Sequence, residues 1–101
     1  MAPDYARMMR EEARLIILRA LSEQVNESLS SSLLVMTLET YGISKERSWV
    51  HDELDWLADA GAVTLVAADS VKIATLTEKG RRHLDRHVAI TGVKRPSRPE
   101  G

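Results

Sequence analysis

The spacing of apolar residues in this 101-residue chain changes sharply at Gly61. Before it, apolar residues recur every three or four positions, as in helices that bury one face. After it, two short runs rich in β-branched residues, 62–67 and 71–76, flank a small polar turn. Such a pair of runs predicts a β-hairpin. The length provides for one core, so the chain is expected to fold as a single domain.

Four helices complete the predicted order. Three precede the hairpin, at residues 5–25, 31–41 and 45–59, and the fourth follows Thr77. The connection between the second and third helices is about three residues long, which is the spacing of a helix-turn-helix. The predicted fold class is therefore mainly α with a β-hairpin, in the order H1-H2-H3-S1-S2-H4.

Helix ends are marked by capping residues. Gly42 and Gly61 stand just past the second and third helices, where a left-handed residue is favoured. Ser44 is the predicted N-cap of the third helix and Thr77 that of the fourth. Beyond Thr77, the inward positions of the fourth helix are predicted to be Leu84 and Val88.

The first helix has a wide apolar arc, which two arrangements explain. Its members are Met8, Met9, Ala13, Leu15, Ile16, Ile17, Leu18, Ala20, Leu21 and Val25. The helix packs beneath several elements of its own chain, or part of the arc contacts a second copy. We expect a homodimer that forms through the first and last helices.

The domain is predicted to end at residue 90. Residues 91–101 contain two prolines, two glycines and almost nothing apolar, so they are expected to form a disordered basic tail after a single winged-helix domain at 1–90.

Several function classes are excluded by composition or motif. There is no cysteine, so neither a disulfide scaffold nor a thiolate site forms. No apolar run is long enough to span a bilayer, and the N-terminus lacks a secretion signal, so a cytoplasmic protein is expected. Phosphate-loop, G-x-S-x-G and H-E-x-x-H motifs are absent. The chain is therefore expected to be no enzyme and to use no cofactor.

A metal site is not expected either. His83 and His87 are four residues apart and share a helix face, but a zinc or nickel site needs further ligands. We interpret them as two exposed histidines. Asp52, Asp55 and Asp59 share a face of the third helix, which is interpreted as a solvated face.

Two motifs carry a family resemblance. Leu54-x-x-Leu57-x-x-x-Gly61-x-Val63 resembles the end of recognition helices in MarR- and ArsR-like regulators. The segment from Leu76 to Arg81, LTEKGR, is similar to the L-T-x-K-G-R entry of the last helix in those families. Their order and spacing identify the chain with the winged helix-turn-helix domains. The whole chain also resembles small winged-helix proteins of Mu-like prophages.

The resemblance implies that double-stranded DNA is a partner. The third helix would enter the major groove with its N-terminal half, where Lys45, Arg47 and Ser48 are the predicted DNA-contacting residues. Lys72 on the wing and Arg81 and Arg82 on the last helix complete the predicted nucleic-acid-binding set.

Charge weighs against the third helix as a conventional DNA reader. Residues 39–59 carry six acidic and two basic side chains, a net of −4, which DNA phosphates repel. Residues 78–101 carry seven basic and three acidic side chains, a net of +4. The last helix and tail are either a phosphate-binding surface or a solvated helix face with a solubilising tail.

The alternative function is a winged-helix protein–protein interaction module of a phage assembly or packaging complex. Trp49 and His51 are its predicted partner-binding residues, since tryptophan is enriched where interfaces are strongest. Trp49 either anchors a partner or fills space in a domain that has no phenylalanine. Trp56 is expected to be half-buried beside Leu54 and Leu57.

Overall fold

The structure is a computed structural model that describes residues 2–98. Its elements in chain order are α1 (Tyr5–Ser22), β1 (Ser28–Ser30), α2 (Ser31–Thr40), α3 (Arg47–Asp59), β2 (Val63–Ala68), β3 (Val71–Leu76) and α4 (Glu78–Leu84). The fold is a winged helix, which confirms the predicted class, with one strand more than predicted. No helix within residues 2–98 is both long and apolar enough to cross a bilayer.

The additional strand β1 lies between the first two predicted helices. Its last residue, Ser30, is also the N-cap of α2, since its side chain accepts a hydrogen bond from the Leu33 N–H at 3.3 Å. Strand β1 also pairs antiparallel with β3, with Ser28 opposite Thr75, and the sheet order is β1-β3-β2. The hydroxyls of Ser28 and Thr75 lie 2.6 Å apart across the pair.

Helix α1 occupies the centre of the fold. It packs against α2, α3, α4 and the sheet. Its buried residues are Ala13, Leu15, Ile16, Ile17, Leu18, Ala20 and Leu21. The wide apolar arc is thus covered mostly by the chain itself, while Met8 of the arc is exposed. The helix ends at Ser22, earlier than predicted, and Val25 is fully exposed in the turn that follows.

The two family motifs are joined to each other at the base of the wing. The Thr77 Oγ1 donates to the Gly61 carbonyl at 2.6 Å and accepts from the Gly80 N–H at 3.1 Å. The Lys79 ammonium donates to the Ala60 carbonyl at 2.8 Å, which satisfies a backbone acceptor at the end of α3. These contacts account for the Thr and Lys of the second motif, and the close approach of Gly80 to the Ala62 carbonyl accounts for its Gly, all without reference to DNA.

Two predicted helix limits are wrong. Ser44 is not the N-cap of α3: the helix begins at Arg47 after Glu46, whose side chain makes no capping bond. Helix α4 ends at Leu84, because Arg86 adopts a left-handed backbone with φ of 64°. Val88 therefore lies beyond the helix rather than on its inner face.

Residues 91–98, which the sequence predicts as part of a disordered tail, are placed against the body of the domain through a few contacts. The Lys94 N–H donates to the Glu11 carbonyl at 3.1 Å, and the Arg14 guanidinium donates to the Gly92 carbonyl at 2.8 Å. Ile90 and Val93 are buried. We call residues 85–98 the C-terminal arm. Residues 99–101 lie outside the described residues.

Candidate nucleic-acid interface

The start of α3 brings three of the predicted DNA-contacting residues together. Lys45, Arg47 and Ser48 are all exposed, at or just before the first turn of α3. That turn belongs to the second helix of the helix-turn-helix, because α2 and α3 are packed against each other and joined by residues 41–46. Two cations and a hydroxyl at this position suit contacts with phosphate oxygens or base edges.

The outward face of α3 is acidic along the rest of its length. Ser48, Asp52, Asp55 and Asp59 are all exposed. Their spacing of three or four residues places them on one side of the helix, opposite the buried Leu54 and its neighbours. We call Asp52, Asp55 and Asp59 the acidic row. A duplex that followed the whole helix would meet three carboxylates, so favourable contact is restricted to the first turn.

The wing lysine is bound to the acidic row. The Lys72 Nζ lies 2.6 Å from the Asp55 Oδ1, and both side chains are partly exposed. At the tip of the hairpin, Asp69 adopts a left-handed backbone with φ of 55°. The predicted phosphate contact of Lys72 therefore requires that its ion pair with Asp55 be exchanged for a phosphate.

A buried serine connects the helix-turn-helix to the wing. Ser31, at the start of α2, is fully buried, and its Oγ accepts the Lys72 backbone N–H at 3.0 Å. The same Oγ lies 2.8 Å from the Nε2 of His51 on α3. Three elements are thus tied together through one hydroxyl, which orients the wing against α3.

The His51 side chain is engaged in a hydrogen bond within the domain. Burial lowers the pKa of its imidazole, and the nearby Lys72 and Arg47 charges lower that pKa further, against a smaller raising effect of Asp55 and Asp52. The neutral ring can accept the Ser31 hydroxyl proton at Nε2. Only the solvent-facing part of the His51 ring therefore remains for the predicted contact with a partner.

Both tryptophans are half-buried and pack against the core. The Trp49 ring lies under the Lys45 ammonium, 5.6 Å from ring centroid to nitrogen. The Trp56 ring lies under the Arg14 guanidinium at 3.8 Å. Trp56 is half-buried, as predicted. The exposed face of the Trp49 ring is in contact with Lys45, a residue of the candidate DNA surface.

Arg81 and Arg82 lie away from the start of α3. Helix α4 begins beside the C-terminal end of α3, through the contacts of Thr77 and Lys79 described above. Helix α3 has 13 residues and is about 20 Å long. Arg47 lies at its N-terminal end, whereas Arg81 and Arg82 of α4 lie beyond its C-terminal end. Arg81 is also paired with Glu27, whereas Arg82 is exposed. The predicted DNA-contacting residues do not form one continuous surface.

An internal ion pair was not predicted from the sequence. Arg14 of α1 and Glu53 of α3 are joined at 2.8 Å between Nε and Oε1, with side chains only 11% and 7% exposed. The sequence signal for this pair was the position of Glu53, which directly precedes Leu54 on the buried stripe of α3. Arg14 also binds Gly92 and Trp56, so it connects α1, α3 and the C-terminal arm.

The interpretation of both C-terminal histidines as exposed is wrong for His83. His83 is fully buried, and both of its ring nitrogens contact backbone groups; His87 is exposed. Within residues 2–98, no group of three or more His, Asp or Glu side chains is placed to hold a metal ion.

The grooves of the described surface are shallow and lie on the α1–α2 side. One, of about 320 Å³, is lined by Tyr5, Met8, Met9, Glu12, Tyr41 and Ile43. A second, of about 330 Å³, lies between the end of α1 and α2, beside Leu33 and Met36. Neither groove gathers the titratable groups that a catalytic site would need.

The chain is similar to a protein of known phage origin. It is 35% identical over 89 residues to the uncharacterized protein gp26 of Escherichia phage Mu, and the match covers 88% of this chain and 92% of gp26. No protein-family model matches the chain.

A solved structure shows the same fold. The protein hsRosR-S4, solved in a complex, superimposes with a TM-score of 0.57 over 83% of this chain and 82% of that chain. The two sequences are 23% identical, so the similarity concerns the winged-helix fold alone.

Proposed function

Since this chain belongs to the family of the phage Mu protein gp26 and has a winged helix-turn-helix fold, we propose that it is a DNA-binding regulator of phage or bacterial type. In this proposal the protein acts in the cytoplasm and performs no catalysis. The structural neighbour hsRosR-S4 supports the winged-helix fold on which this proposal rests.

The observation that carries the proposal is the exposed first turn of α3. Lys45, Arg47 and Ser48 lie together where the second helix of a helix-turn-helix meets DNA. None of the three is in an ion pair among the described residues. Lys45 and Arg47 are therefore available to neutralise phosphates without the loss of an ion pair.

The acidic row defines how α3 approaches the duplex. Asp52 and Asp59 repel phosphates, so α3 is proposed to contact the groove edge with its first turn instead of lying along the groove floor. Such a geometry gives few contacts with base edges and hence modest sequence preference.

The salt dependence of binding to a random-sequence duplex tests this proposal. For the wild-type chain we expect measurable binding at about 50 mM salt that weakens steeply as salt is added. Lys45→Ala and Arg47→Ala are each expected to lower the salt slope by about 1 and to weaken binding to all duplexes alike. Arg19→Ala is the matched control, because Arg19 is exposed on α1 beside α2.

Two results would contradict the proposal. One is the absence of any binding at low salt. The other is binding that Lys45→Ala and Arg47→Ala leave unchanged, which would show that the start of α3 is not the contact.

The acidic row also favours a second candidate, the protein–protein interaction module. Three exposed carboxylates on one face suit a basic protein surface, of the kind found in a phage assembly or packaging complex. Asp52→Asn with Asp59→Asn separates the two candidates. If α3 approaches DNA, the double variant binds duplex more tightly; if the row holds a basic partner, the variant loses that partner.

We also propose that the chain forms a homodimer, but through other helices than the sequence predicts. Among residues 2–98, no large exposed apolar side chain lies on α4, whereas Tyr5 and Met8 of α1 adjoin Tyr41 at the end of α2. We therefore propose contact through α1 and α2 instead of through the first and last helices. Sedimentation equilibrium at micromolar concentration tests it: Met8→Glu is expected to convert dimer to monomer, and a wild-type monomer would exclude the dimer.

A further inference from the structure

The C-terminal arm is held by one fully buried side chain, His83. The His83 Nδ1 accepts the Ile90 N–H at 3.0 Å, and its Nε2 lies 3.0 Å from the Lys94 carbonyl oxygen. A carbonyl only accepts, so Nε2 carries the proton and Nδ1 does not. The ring is therefore neutral, in one tautomer, and both of its nitrogens are used to hold the arm.

Protonation of Nδ1 is incompatible with this arrangement. An N–H at Nδ1 would face the N–H of Ile90, so the bond would be lost and two donors would meet in a buried site. The ring would also acquire a charge away from water, which is costly unless a counter-charge is near.

Two of the carboxylates near the arm, Glu53 and Glu12, are held in ion pairs with cations of the domain. The charged groups on the elements that hold the arm include Glu11, Glu12 and Arg14 of α1, Glu53 of α3, Glu78, Lys79, Arg81 and Arg82 of α4, and Asp85, Arg86, His87, Lys94, Arg95 and Arg98 of the arm itself. Glu53 is bound by Arg14 and Glu12 by Lys94. Glu11 lines a shallow groove beside Met8 and Lys94, and Asp85 and His87 are exposed.

We propose that His83 is a proton-operated latch for the C-terminal arm. With the ring neutral, the arm lies across α1 and buries Ile90 and Val93. With the ring protonated, the arm detaches. Detachment uncovers an apolar strip of α1 and turns Lys94, Arg95 and Arg98 from side chains of a packed segment into a mobile cationic tail.

The remaining arm contacts allow a local opening. The Arg14–Gly92, Lys94–Glu11 and Arg86–Pro96 bonds and the Lys94–Glu12 ion pair all join the arm to the body or to itself. None of them contributes to the packing of α1 on α2 and α3. The body of the domain is therefore expected to stay folded when the arm leaves.

Amide hydrogen exchange of the full chain tests the latch. The amides of Ile90 and Lys94 report the arm, and the amide of Leu18 in α1 reports the body. If opening takes up one proton, the opening constant rises tenfold for each unit that the pH falls. Between pH 7 and pH 5 we expect the protection factors of Ile90 and Lys94 to fall by up to this amount per unit, while that of Leu18 stays constant.

Two variants make the test specific to His83. His83→Gln keeps a donor and an acceptor but does not titrate, so its arm protection should not depend on pH. His87→Gln, the matched control, should behave as the wild type. The latch is excluded if wild-type arm protection is the same at pH 7 and pH 5, or if His83→Gln retains the wild-type fall.

Discussion

The Arg14 guanidinium donates from Nε to the Glu53 Oε1 at 2.8 Å while it lies 3.8 Å above the Trp56 ring. This one side chain joins α1 to α3, the helix that carries the candidate DNA surface. Its NH1 reaches Gly92 as well, so the position of the C-terminal arm depends on the same residue.

Removal of Glu53 should be costly. Glu53→Ala leaves the Arg14 charge in a nearly buried site, which typically lowers the free energy of unfolding by about 3 kcal/mol or more. Chemical denaturation measures it. The double variant Arg14→Met with Glu53→Leu should regain most of the loss, because paired buried charges are often replaced by apolar side chains at little cost. A small effect of Glu53→Ala would show that water reaches Arg14.

Close packing at Gly80 predicts a second stability effect. A Cβ at this position would lie 2.4 Å from the Ala62 carbonyl oxygen and 2.7 Å from the Leu76 Cδ1. Gly80→Ala should therefore cost about 1–3 kcal/mol, through a shift of α4 from the base of the wing. Gly42→Asn is the control, since φ is +83° there, nothing lies within 4 Å, and Asn tolerates the left-handed region. Equal thermal stabilities of the two variants would contradict the prediction.

The Lys72–Asp55 pair predicts a gain of DNA binding. Asp55→Asn should change stability by less than about 1 kcal/mol, because the pair is exposed. It releases Lys72 for a phosphate, so the salt slope of duplex binding should steepen by about 1. Asp59→Asn removes a carboxylate from the same face without releasing Lys72, and its slope should match that of the wild type. Identical slopes for both variants would place Lys72 away from DNA.

His51 predicts a dependence of stability on pH. Its folded-state pKa is lowered, chiefly by burial and next by Lys72 and Arg47, so the unfolded chain binds the proton more readily. The stability that the neutral ring contributes is thus present above the unfolded value of about 6.5, and it is lost as the pH falls through the lower folded value. His51→Gln should lose less stability than the wild type between pH 7 and pH 5, as denaturation at each pH would show; an equal loss would contradict this.

The sequence predicted the parts of the fold that local patterns determine. The order of the four helices and the β2–β3 hairpin, the helix-ending Gly42 and Gly61, and the Thr77 cap all depend on residues close together in the chain. The exposed positions of Lys45, Arg47 and Ser48 at the start of α3 follow from the same local spacing.

The errors arise where distant polar residues meet. The residues around His83 have the composition of an exposed helix. The ring is nevertheless buried, because the C-terminal arm folds back onto α1 and binds it. Residues 91–98 have few apolar side chains, so their order depends on Arg14 and His83, 11 or more residues away. The predicted DNA-contacting residues are separated for a related reason. Lys72 and Arg81 each form an ion pair with a carboxylate, and the spacing of residues in the sequence does not reveal these pairs.

Strand β1 has a consequence for the route by which the chain folds. Its Ser28 pairs with Thr75 across 47 residues, so this edge of the sheet closes only after most of the chain has collapsed. The entropy of closing so long a loop must be offset by contacts formed earlier, and such non-local pairing slows folding. The helical hairpin of α2 and α3 and the turn between β2 and β3 are local, and they are expected to form first. The three-residue strand is then expected to dock after these local units, and it joins the wing to the helices.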